Sequence, residues 1–325
     1  VHRLRALRRC APALLLAAGA CTLTEVTVPA SEEVVAVEAV LRTDTAIQTL
    51  VLHRSLDGRD VRGVPGARVT VTREGGQAVT FVEKDSACVR FSQAYFSDGP
   101  GSLRASCYES PASAGAWVQP GGVYRLRVET PDGRVIQGRT RVPGQFALRG
   151  LPFSRTMEQR ARAECSLRPG TVLPVAWTRA DSAWSYLAPI RIFGLRRALA
   201  ASGVDASIPD PLELFGLAIS ERDTAIVLPT EFGVFDRFDT DQDVLLALRS
   251  GFPEGVLVEL VVAAADRNYV NGVRGGRFNP SGPVRISSVS GDGVGVFGSM
   301  VPLYVRIPVV QPAIAQRLGI PPCGA

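Results

Sequence analysis

The tract VYRLRVETPDGRVIQGRTRVP, residues 123–143, limits the possible folds more than any other part of this chain. Tyr124, Leu126 and Val128 alternate with Arg125, Arg127 and Glu129. Successive side chains of a strand point to opposite faces, so this period of two gives one apolar and one charged face. Pro131-Asp132-Gly133 supplies the turn, and the second run returns as a hairpin partner. Four more segments share this character: 32–42 (EEVVAVEAVLR), 46–55 (AIQTLVLHRS), 64–76 (VPGARVTVTREGG) and 78–83 (AVTFVE). In the third, Val69 and Val71 turn inward and Arg68, Thr70 and Thr72 outward. Short alternating strands separated by Gly/Pro turns predict an immunoglobulin-like or prealbumin-like β-sandwich over residues 32–147.

Residues 148–325 predict a second β-rich domain with a few short helices, so the fold class is mainly β. Strands are expected at 171–179, 182–193, 223–229, 255–264, 283–289 and 300–310. Helices are expected at 156–165, with Thr156 and Gln159 at capping-box spacing, and at 194–203. A third runs over 239–251, with Thr240 as N-cap and Gly251 as the stop, and 266–276 forms a short helix or loop.

Residues 1–20 read as a secretory signal. Arg3, Arg5, Arg8 and Arg9 precede an apolar run from Ala11 to Ala20 that is too short to cross a membrane as a helix. Ala18-Gly19-Ala20 before Cys21 resembles a bacterial lipobox, in which the cysteine takes the lipid; residues 21–31 then form an anchored linker. Cleavage removes four arginines, taking the basic count from 36 to 32 against 31 acids. The net charge of +5 thus resides mostly in the leader, and nothing in the mature chain points to nucleic acid. Four further cysteines, Cys88, Cys107, Cys165 and Cys323, form an even set in an exported chain, where disulfides are the rule. Three pairings are possible; Cys88–Cys107 and Cys165–Cys323 are favoured because the first stays within one domain and the second ties back the chain's last residues.

Few residues can carry chemistry. Asp239, Asp241 and Asp243 have the spacing that opens a calcium loop, with Glu231 and Asp236 as extra ligands. The glycine and acid such a loop needs further on are replaced by Val244 and Ser250, so the acids are better read as a helix start. Past the leader His53 is the one histidine; it lies in a strand, and no GxSxG elbow accompanies it. A packed or edge-strand role is expected. Paired carboxylates need no histidine, but none of the 31 acids is marked out as a pair. Among the aromatics, Trp177 and Trp184 are expected in the core. Trp117, in the loop AGAWVQPGG, is the candidate ligand contact.

Gly293, Gly295 and Gly298 spell GxGxxG, the pattern of a dinucleotide loop. That loop must open a helix and be followed by an acid ~20 residues on. Here SMVPLYVRIPVV follows, which is strand, and residues 318–325 hold no acid. The glycines are therefore expected where the chain passes close to other backbone, with Phe297 anchoring the segment, and no nucleotide or other cofactor is expected.

The run at 256–301, and above all PSGPVRISSVSGDGVGVFGS within it, resembles a family of bacterial lipoproteins catalogued as domain of unknown function, family number 4249. VVAVEAVLRTD (34–44), VPGARVTV (64–71) and PGGVYRLRVETPDGRVIQGRTRVP (120–143) fit it in the same order. The resemblance implies an outer-membrane lipoprotein encoded near TonB-dependent receptors, and it assigns no catalytic residue. Together with the lipobox it gives the expected function: a non-enzymatic, lipid-anchored outer-membrane protein that binds a ligand or a partner such as a TonB-dependent transporter. An envelope glycan hydrolase with two carboxylates is the rival reading, and a purely structural or adhesion module the third.

Overall fold

The computed structural model describes residues 33–56, 60–84, 105–156, 165–204, 207–218, 220–230, 242–274 and 286–324. The N-terminal half contributes β1 (Val34–Arg42), β2 (Thr49–Leu56), β3 (Asp60–Gly63), β4 (Arg68–Arg73), β5 (Ala78–Lys84), β6 (Ser106–Glu109), β7 (Val123–Glu129) and β8 (Val135–Arg141). Then follow β9 (Leu148–Arg149), β10 (Leu173–Trp177), β11 (Ser185–Phe193), α1 (Leu195–Ala201), β12 (Leu212–Leu217), β13 (Ala225–Leu228) and α2 (Gln242–Ala247). β14 (Leu257–Ala265), α3 (Arg267–Arg274), β15 (Val289–Gly291), β16 (Gly293–Pro308) and α4 (Pro312–Arg317) complete the order. The fold is mainly β, a sandwich followed by a second β-rich part with short helices.

One hydrogen-bonded path runs β12-β11-β14-β16-β1-β2-β6-β5-β4-β7-β8-β15, with β3 on the side of β2. It folds over at β5, whose first residues pair with β4 and whose last pair with β6. Val35, Val37, Leu50 and Leu52 on one side of the fold meet Val69, Val71, Leu126, Val128 and Ile136 on the other in a single buried cluster. Tyr108 ties the two layers: its hydroxyl donates to the Val64 carbonyl and accepts from Ala67 N–H. The predicted hairpin is present, with Val123 opposite Arg141 and Glu129 opposite Val135.

The last long strand joins both halves of the chain. Gly293–Met300 of β16 run parallel to Val35–Arg42 of β1, and Met300–Pro308 run antiparallel to β14. The strands on either side of the expected boundary at 147/148 therefore share one sheet. The buried cluster is shared as well, since it continues through Ile190, Ile192, Leu214, Leu260 and Val305 to the small sheet β13-β10-β9. The opposite face of β11, β14 and β16 is closed by Tyr269 and Val270 of α3, over Leu187, Val261, Ala263 and Tyr304.

The glycines of β16 sit where it passes between β1 and β8. A Cβ on Gly293 would lie 2.5 Å from Ile136 Cδ1, one on Gly295 2.0 Å from the Val37 oxygen, and one on Gly298 2.7 Å from Tyr269 Cβ. Gly295 also has φ +134°, a region that side chains disfavour. Phe297 is fully buried, and Gly138 on the inner face of β8 leaves the room it occupies. The close-approach reading of GxGxxG holds. The strand expected at 283–289 differs: among the described residues only Val289 onward is strand, because β15 is a short edge pairing with β8.

Candidate ligand-binding groove

Residues 111–122 connect β6 to β7 over the end of the sandwich where β4 turns into β5. A single 3-10 turn, Ala112–Ala114, begins the segment, and Gly115 and Gly121 take positive φ to bend it. Tyr124, the second residue of β7, holds it from below. Its hydroxyl accepts Gln119 N–H at 2.8 Å and donates to the Trp117 carbonyl at 3.0 Å. Burial raises the Tyr124 phenol above its ordinary range, so this hydroxyl keeps its proton to donate.

Trp117 is half-buried and packs edge-on against Phe81, at 6.3 Å between centroids, and Tyr124, at 5.6 Å. Its Nε1 is shut off from solvent and has no hydrogen-bond partner. Beside it opens a groove of about 610 Å³, lined by Arg73, Gln77, Val79, Thr80, Ser113 and Gln119 among others. Among the described residues no carboxylate lines it. Arg73 follows Val69 and Val71 on the inward parity of β4, so its guanidinium belongs to the open end of the sandwich. The adjacent acid, Glu74, is held by Arg125 at 2.9 Å and Arg139 at 3.2 Å, and these two arginines hold its carboxyl below the usual range. The sequence singles out Trp117 but not Arg73, which lines the same groove. The available signal was a charged residue at an inward position of an alternating strand.

The other candidates lie apart from this groove. His53 is in β2, partly buried, with Nε2 3.8 Å from Glu38 Oε1. Trp177 is buried as expected, but Trp184 is 44% exposed, a correction to its core assignment. It stands just ahead of β11 and carries the Arg267 guanidinium over its ring at 5.2 Å, a contact that needs an open face. Cys165 and Cys323 form a disulfide with Cα atoms 4.9 Å apart. Cys107 is disulfide-bonded too, while Cys88 and the lipidation candidate Cys21 lie outside the described residues. So do Asp239, Asp241, Glu231 and Asp236; Asp243 is an exposed residue in the first turn of α2.

Two buried carboxylates are fully engaged by the fold. Asp44 takes Arg42 in two contacts, at 3.0 and 2.7 Å, and also accepts the Tyr304 hydroxyl. Asp266 caps α3 through Tyr269 N–H, accepts Ser299 N–H from β16, and accepts the Thr140 hydroxyl from β8 at 2.6 Å. Burial pushes its carboxyl up to about 6, against the pull of these hydrogen bonds. Both acids fasten β16 to its neighbours.

Among solved structures, trypsin-activated alpha-2-macroglobulin from Escherichia coli is 12% identical with a TM-score of 0.20, over 74% of this chain and 15% of that one. Chicken CNTN1 FN1-FN3 domains are 11% identical with a TM-score of 0.19, over 85% of this chain and 65% of that one. The chain thus spans less than two thirds of either. No curated protein matches it. The family model described as "Domain of unknown function (DUF4249)" matches residues 23–179. That stretch holds β1 to β10 and the groove; the glycine run of β16, read above as the most specific family marker, lies outside it. Residues 23–179 of this chain thus match the DUF4249 family.

Proposed function

We propose that this chain is a lipid-anchored accessory protein of the outer membrane that binds a ligand in the Trp117 groove. The carrying observation is the groove itself: an indole partly exposed beside a space of about 610 Å³, on a loop whose Trp117 carbonyl is held by the Tyr124 hydroxyl. Its mixture of an aromatic face, amides and hydroxyls fits binding without chemistry. The glycan-hydrolase reading needs two acids facing a cleft, whereas Asp44 and Asp266, both buried, are each committed to internal hydrogen bonds. The leader and Cys21 support the anchor, and the family resemblance supports a TonB-dependent transporter as partner.

The test has two arms. Cys21→Ala releases the tagged chain from membranes, whereas retention refutes the anchor. Trp117→Ala abolishes capture of glycan or peptide ligands and of the transporter while leaving the melting curve cooperative. Unchanged capture refutes the groove.

A further inference from the structure

We infer that the Trp117 groove takes an acidic sugar, with Arg73 as the residue that reads its carboxylate; this rests on the binding role proposed for that groove. The chemistry of the lining points one way. Arg73 is exposed, and among the described residues it makes no ion pair and no acid lines the groove it faces. The acid next to it in sequence, Glu74, is on the other face and already held by Arg125 and Arg139. A guanidinium presents a planar fork of donors that matches a carboxylate in two parallel hydrogen bonds. An anionic group seated there displaces water without leaving a second acid to repel it.

The remaining lining fits the body of a sugar rather than a plain anion. Gln77 and Gln119 offer both donors and acceptors, and Thr80 and Ser113 offer hydroxyls, the complement of ring hydroxyls. Val79 and the open part of the Trp117 indole provide an apolar wall for the ring's C–H face. Neutral sugars satisfy the amides and the wall but leave Arg73 unused, so charge is the discriminating contact.

The experiment is calorimetric titration of the full chain with a galacturonate trimer and, in parallel, the uncharged galactose trimer. The expected result is at least tenfold tighter binding of the acidic trimer, weakening as salt rises. Arg73→Gln brings the two affinities together, and Arg73→Lys keeps part of the preference. Arg73 lies at an exposed strand end, so these variants fold. Equal binding of both trimers by the unaltered chain overturns the inference, as does a preference that survives Arg73→Gln. A short peptide with a free carboxyl terminus binding more tightly than the galacturonate trimer also overturns it. If both trimers bind equally and Trp117→Ala abolishes both, only the acidic-sugar assignment falls. If Trp117→Ala changes nothing, or no probe binds, the groove's binding role falls with it.

Discussion

Replacing Gly295 with alanine tests the account of how β16 enters the sandwich. The added Cβ would lie 2.0 Å from the Val37 oxygen and 2.8 Å from its carbonyl carbon and nitrogen. Such contacts are not made below about 3 Å, so β1 and β16 must part by about 1 Å. Neither can yield easily. Val37 is fully buried, and the Gly295 backbone is held on its other side by Ser288 N–H at 2.9 Å. Parting the strands weakens the ladder hydrogen bonds on either side, each worth about 0.5–1.5 kcal/mol. The backbone at φ +134° adds about 1–3 kcal/mol for a residue with a side chain. The sum is roughly 3–5 kcal/mol, at the upper end of what single substitutions do. Gly133→Ala is the control: its φ is +84°, but nothing lies within 4 Å of the new atom, so only the conformational cost of about 1–2 kcal/mol remains. Urea unfolding of both variants beside the unaltered chain gives the comparison, and Tm for Gly295→Ala falls by on the order of 5–10 °C. A Gly295→Ala cost within 1 kcal/mol of the Gly133→Ala cost refutes the close-approach argument.

Three further outcomes are expected. Asp266 has a folded pKa of about 6 against an ordinary 3.8, so the folded state holds its proton more tightly than the unfolded chain does. Its contribution is fully present below 3.8 and lost as pH rises through 6; between pH 7.5 and 5 it restores about 1.4 kcal/mol. Asp266→Asn removes that part of the pH dependence, and equal slopes in paired denaturant melts would contradict the assignment. Cys323→Ser opens a loop of 158 residues, for which the chain-entropy argument gives a loss of up to ~5 kcal/mol, read as a lower urea midpoint and faster proteolysis of the last residues. Tyr304→Phe deprives Arg42 and Asp44 of a shared buried hydroxyl and costs about 1–3 kcal/mol; a neutral result in the same melts shows that the Arg42–Asp44 pair is sufficient alone.

The local pattern was legible where one face is dry and the other wet. The 123–143 hairpin, the strand at β4 and the strand at β14 follow from residue alternation or apolar runs alone. β6 was missed because four residues, Ser106–Glu109, are too few to show a period. β12, LELFGL, was missed because a glycine interrupts it; Gly216 is there because a Cβ would meet the Ala188 oxygen at 3.1 Å. α4 opens on a proline and runs for six residues, too short for an apolar stripe to emerge. Pairing between β1 and β16 had no local signature at all, since both are apolar runs about 250 residues apart. Trp117 stood out by composition of its loop, while Arg73 needed the inward parity of β4 together with the loop that closes over it.

β16 has a consequence for how the chain is made. β1 leaves the ribosome long before its parallel neighbour in β16 is made. Until residues 293–300 arrive, one edge of β1 carries a row of unpaired amides and carbonyls beside an open apolar interior. Contacts this distant in sequence close slowly. A strand order completed so late keeps the sandwich open until the second half of the chain has been made. The same delay leaves the half-made sandwich dependent on whatever shields strand edges in the meantime.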